Sequence, residues 1–256
     1  MSSVIDPNID HLAGQKPSQI DDFCPSEDDF RAVRQVLRHL FPLELVEKII
    51  DLGSYWPKIR ASSADVIDVF GGELYCYLVT PPIPGAETAG APLQRSVRQI
   101  RFKIDSCDQG WCDYNAQNRG TYNGSWTWFE AVILPPPATL DDPSWYQNAL
   151  IMPTKLGPDA SPIFSPAQNG QSRRWHIQSN ITAWRASKEH IITWTTDEAN
   201  IEEREHDRLN GRTSRGHEVV RSLVAGDRLA IIAGAVSPRW VNHVVSASIE
   251  IFYHPR

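Results

Sequence analysis

A chain of 256 residues, 41% hydrophobic and 22% charged, can bury a full core and is too mixed in composition for a disordered segment. Its 25 Lys and Arg against 31 Asp and Glu leave a formal charge of -6, which repels phosphate backbones and argues against nucleic acid as a partner. No apolar run approaches a membrane span, and the first two dozen residues lack a basic n-region and an apolar h-region, so a cytoplasmic or nuclear location without membrane contact is expected.

Residues 1–24 are polar and aperiodic and read as a flexible arm. Ser26 then caps a helix whose first turn, Glu27, Asp28 and Asp29, suits the positive end of the dipole, with Phe30, Val33, Val36, Leu37 and Leu40 as its apolar stripe. A second helix follows, with Pro42 in its first turn, Leu43, Val46, Ile49 and Ile50 at helical spacing, and Gly53 as its stop. This helical segment spans 25–62, and the remainder, 63–256, reads as strands separated by Pro- and Gly-rich connections.

Ile100-Arg-Phe-Lys-Ile-Asp105 alternates strictly, so Ile100, Phe102 and Ile104 share a buried face and the charges face water. Ser125 to Leu134 is apolar on both faces. Alternation along it puts Trp126, Trp128 and Glu130 on one side, expected to be a cleft wall, and Phe129 and Ala131 on the core side. Further strands are expected at Trp175–Gln178, Ile181–Ala183, Glu189–Thr195, Arg228–Ala235 and Val244–Tyr253, while the charged stretch from Asp197 to Glu218 reads as a solvated loop with a helical turn at most. Helices first and strands thereafter predict a mainly β protein, a jelly-roll-like β-sandwich with a short N-terminal helical segment.

Two segments resemble known families. Phe41-Pro-Leu-Glu-Leu-Val-Glu-Lys-Ile-Ile-Asp-Leu52 resembles the opening of an F-box, which implies contact with an adaptor protein through Leu43, Val46, Ile49 and Ile50. From Val97 to Tyr253 the chain resembles a group of fungal proteins with an Asp-Gln-Gly-Trp turn (Asp108 to Trp111), a Gly-Ser-Trp-Thr-Trp-Phe-Glu strand (Gly124 to Glu130), a Leu-x-x-Gly-Asp-Arg-Leu segment (Leu223 to Leu229) and a Trp-x-Asn (Trp240 to Asn242). That resemblance implies a galactose-binding-like sandwich.

Binding a sugar or polyol requires an aromatic face for the ring and a fan of polar groups for the hydroxyls. Asp108, Trp111, Tyr122, Trp126, Trp128, Trp240 and Asn242 have the right chemistry, on segments that flank strand ends. The candidates for acid–base chemistry are Glu130, His176 and His243, with His190 beside them, on expected strands. No HExxH, GxSxG, Walker or dinucleotide motif is present, and Glu202 to Asp207 alternates with Arg, so neither a cofactor nor a metal is expected. Cys24, Cys76, Cys107 and Cys112 show no paired metal-ligand spacing and are expected to be reduced.

The expected function is a module binding a small polar ligand, carbohydrate-like in chemistry, or a protein partner at the loop end near Asp108 and Trp240. A cofactor-free isomerase or cyclase in the same cleft, and a purely structural interaction domain, are the alternatives.

Overall fold

The structure is a computed structural model that describes residues 24–85, 96–112, 116–134, 174–197, 201–213, 216–236 and 238–255. Two antiparallel sheets pack face to face, preceded by a helical hairpin, so the mainly β sandwich read from the sequence is the architecture found. One sheet runs β1 (Lys58–Ser63), β9 (Val241–His254), β4 (Ser96–Cys107), β7 (Lys188–Thr195). In it β2 (Ile67–Phe70) pairs with the first residues of β9 and β1 with the later ones, so the long β9 carries both. The other sheet runs β3 (Glu73–Val79), β8 (Arg228–Ala235), β5 (Thr127–Leu134), β6 (Arg174–Ser179).

The core lies between the inner faces. In β4 the alternation behaves as expected: Ile100, Phe102 and Ile104 are fully buried, while Lys103 turns outward to pair with Glu189. They meet Phe129, Ile177, Leu229 and Ile231 from the other sheet, and Trp194 of β7 sits edge-on to Phe102, with ring centroids 4.7 Å apart. Val132, Leu134, Ala230 and Ile232 alternate to the other side of β5 and β8 and form a second apolar cluster.

In the hairpin, α1 (Glu27–Leu40) starts with a capping box between Ser26 and Asp29, and α2 (Leu43–Leu52) starts directly after Pro42. The hairpin has its own small core of Phe30, Val46 and Ile50, flanked by Leu37, Tyr55 and Trp56. Polar contacts join it to the sandwich: Tyr253 Oη donates to Glu27 at 2.9 Å, Arg98 pairs with Asp51 at 3.2 Å, and His254 meets Glu47, which also pairs with Arg34.

Three segments depart from expectation. The stretch from Asp197 to Glu218, read as a solvated loop with a helical turn at most, holds the helix α3 (Ile201–Leu209), and a second, α4 (His217–Ser222), begins at its end. Val219 and Val220 of α4 are buried against the core, because two adjacent apolar residues need only one short helical turn to reach it. Gly216, at φ 61°, admits that turn, since a Cβ there would lie 2.0 Å from the Trp194 ring. Ile181–Ala183 is a turn rather than a strand, and the sheet already begins at Lys58, within the stretch read as helical. Among the described residues no helix is long and apolar enough to cross a membrane.

Candidate functional site

Asp108–Trp111, the start of Gly124–Glu130 and Trp240–Asn242 meet at one end of the sandwich, with Asp108 and Asn242 buried there, whereas Leu223–Leu229 leads into β8 at the opposite end. Asp108, just beyond the end of β4, is fully buried. Its Oδ1 accepts from the backbone N–H of Gly110 (2.7 Å) and of Trp184 (2.8 Å), and its Oδ2 from that of Ala183 (2.5 Å). Burial raises the Asp108 carboxyl from its ordinary range, and the three amides oppose that shift. Asp108 thus clamps two loops, its own and the one between β6 and β7. Ala183 has φ 54°, a conformation that costs an L-residue energy, and the clamp is what holds it there.

Asn242 is also fully buried. Its Nδ2 donates to the carbonyls of Trp128 (3.1 Å) and Gly234 (3.2 Å) in the opposite sheet, and its Oδ1 accepts from Asn180 Nδ2 at 2.9 Å. Asn180 also bonds Thr127 Oγ1 (3.0 Å) and, through Oδ1, accepts from Ser106 Oγ (2.7 Å). These side chains stitch β4 and β9 of one sheet to β5 and β8 of the other. Trp240 is buried at 3% exposure, and the neighbouring Val241 N–H donates to Gln109 Oε1, which joins the third loop to the same end.

Trp128 and Glu130 occupy the outer face of their sheet, as alternation requires. Trp128 is only 5% exposed: its indole lies over Gly234, the cross-strand partner, where a Cβ would come within 2.9 Å of the ring. Its Nε1 donates to Glu130 Oε1 at 2.9 Å, and Arg174 stands 3.7 Å from Glu130 Oε2. The carboxylate therefore has an arginine partner, and Phe129 is fully buried in the core. His176, paired in register with Glu130, lies against Ser179 Oγ at 3.0 Å, and burial pushes its pKa down to about 3.

Half-buried Tyr122 places its Oη 3.0 Å from His190 Nε2 and accepts from Lys188 Nζ at 2.9 Å. Burial, with the charges of Lys188 and Arg212, pushes His190 down to about 4. His176 and His190 are therefore held in the neutral form at pH 7. His243 Nδ1 pairs with Asp68 at 2.6 Å on the outer face of β9, away from both.

Aromatic groups face solvent at the loop end, beside the exposed Arg185 and Lys188. Trp111 is 41% exposed and Trp184 47%, and Trp126 is half-buried. Trp184, Asn180, Ser106 and Lys188 were not among the candidates read from the sequence. A tryptophan with no large apolar residue among its nearest neighbours, in Ala183-Trp-Arg-Ala-Ser-Lys188, was the available signal. A concavity of about 570 Å³ lies elsewhere, between α1 and Pro255, lined by Phe30, Arg31, Arg34 and Arg38. Its cations Arg31 and Arg34 are already paired with Glu27, Asp28 and Glu47. Among the described residues no group of three or more His, Cys, Asp or Glu is placed to hold a metal, and the four cysteines are free thiols.

Comparison with protein-family models finds no match, and comparison with curated proteins finds none either.

Proposed function

We propose that this protein is a binding module whose recognition surface is the clamped loop end, with Trp111 and Trp184 as its contact groups. The observation that carries this reading is the Asp108 clamp. One buried carboxylate holds both loops, keeps Ala183 in a costly conformation, and leaves a large aromatic residue exposed on each. Rigid loops cut the ordering cost of binding, and exposed tryptophans supply apolar area with a polar edge. A ring-shaped polar ligand, stacked on indole, suits that chemistry, in keeping with the resemblance to galactose-binding-like sandwiches. Asp108, Trp128, Trp240 and Asn242 serve in this reading as the frame, not as contacts.

The hairpin supplies a second, protein-binding surface. Val46 and Ile50 face its small core, while Leu45, Ile49 and Leu52, spaced i, i+4 and i+7, are 48%, 41% and 79% exposed. This stripe is a candidate for the adaptor contact that the F-box resemblance implies, with Leu43, 44% exposed, at its edge. The module would then link a partner on the hairpin to a ligand at the far loops.

A saccharide screen read by indole N–H chemical shifts tests the first surface. Binding that moves the Trp111 and Trp184 signals, and that is lost in Trp111→Ala and Trp184→Ala, is expected; binding that leaves both indoles unmoved refutes it.

A further inference from the structure

The loop end carries an exposed cation, Arg185. Gly110, at φ 87°, lies so close to Arg185 that a Cβ on it would stand 2.7 Å from the Arg185 Cβ. This contact packs the stem of Arg185, the residue after Trp184, on Gly110, the residue before Trp111, so the two exposed tryptophans and this arginine belong to one joined loop pair. Arg185 is exposed, and among the described residues it forms no ion pair or hydrogen bond. Nearby carboxylates are engaged elsewhere: Asp108 by backbone amides, Asp68 by His243 and Glu189 by Lys103. Lys188, three residues on, adds a second positive charge and donates to a phenol oxygen. Asp105, Asp108 and Asp68 act on Cys107 together with Arg185, so the charge at this end is mixed, and Arg185 is the cation left without an ion pair among the described residues.

We propose that the loop end selects an acidic sugar, a hexuronate, whose ring stacks on Trp111 or Trp184 while its carboxylate pairs with Arg185. This rests on the loop end being the recognition surface and adds the ligand's charge. Arginine presents a planar fork that matches a carboxylate, and the stem packed on Gly110 has less freedom to lose on binding than a free surface arginine. A neutral sugar would leave the guanidinium with water alone.

Methyl glucuronide and methyl glucoside differ only in carrying a carboxylate or a hydroxymethyl group on C5, and both can be titrated into the full chain at low salt while the Trp111 and Trp184 indole N–H signals are followed. The glucuronide should reach its midpoint at about tenfold lower concentration, the size of one charge-assisted pair. Arg185→Gln, a surface change that leaves the fold intact, should bring the glucuronide midpoint to that of the glucoside without abolishing either response. Equal midpoints in the wild type overturn the acidic-sugar proposal and leave the loop-end reading standing. A preference that survives Arg185→Gln also overturns it, since the charge is then read elsewhere. Failure of both sugars to move either indole removes the proposal, and the wider saccharide screen then decides the loop-end reading by itself.

Discussion

Asn180 and Asn242 meet amide to amide at 2.9 Å in the interior, one from the turn after β6 and the other from β9. Every polar atom of the pair is committed, and together they satisfy carbonyls or hydroxyls on three strands, β4, β5 and β8. Removing one member strands several buried partners at once. Asn242→Ala should therefore destabilise by roughly 2 to 4 kcal/mol, more than a single exchanged hydrogen bond is worth, because unpaired buried groups bear a desolvation penalty. Urea unfolding measures it, and a loss below about 1 kcal/mol would show that water replaces the amide.

The Asp108 clamp and the Ala183 backbone oppose each other energetically. Ala183→Gly relieves the positive φ and should be neutral or stabilising by up to about 1 kcal/mol. Asp108→Asn turns an NH2 group toward backbone N–H donors and should destabilise by roughly 2 to 3 kcal/mol. Denaturant midpoints of the two variants should thus move apart or in opposite directions; a destabilised Ala183→Gly would mean that the turn is not strained.

Alternation in the sequence separated Phe129 from Trp128 and Glu130 correctly, yet the expected cleft wall is a covered face. Trp128→Ala is therefore expected to be costly, on the order of 3 kcal/mol, comparable with Phe129→Ala at roughly 3 to 5 kcal/mol. Trp111→Ala and Trp184→Ala, on exposed loops, should stay within about 0.5 kcal/mol of wild type. Chemical denaturation of all four sorts the tryptophans into frame and surface.

What could be read from the sequence follows the range of the interactions. The Ser26 cap, the β4 alternation and the two sides of β5 depend on residues a few positions apart, and each was legible. Asp108 and Asn242 stood out by type, but their roles depend on Asn180, Ala183 and Trp184, which are some sixty to seventy-six residues from one or the other. No local pattern reports such a pairing. The burial of Val219 and Val220 was hidden for another reason: a six-residue helix at the end of a charged segment is too short to show a period.

His190 makes stability depend on pH. Its folded pKa, about 4, lies below the ordinary 6.5, so between those values the unfolded chain binds the extra proton. The contribution is complete above pH 6.5 and is lost as pH falls toward 4, to an extent on the order of 3 kcal/mol. His176, depressed further by burial, acts in the same direction. Stability should therefore fall on acidification from pH 7 to 4, and His190→Gln should flatten that limb. An unchanged slope in the variant would assign the acid limb to other groups.

The hairpin offers a contrast between adjacent residues on one helix. Ile50 is 1% exposed and packs with Phe30 and Val46, whereas Ile49 is 41% exposed and shares a stripe with Leu45 and Leu52. A charge at Ile50 must be buried or must open the small core, so Ile50→Glu should raise hydrogen exchange throughout α1 and α2. Ile49→Glu meets water and should leave exchange in the hairpin unchanged. If the stripe is a docking surface, Ile49→Glu should nevertheless abolish capture of an F-box adaptor by the full chain. Capture that persists in Ile49→Glu would place the contact elsewhere, and no capture by the wild type would remove the adaptor from consideration, leaving the exposed stripe to another partner.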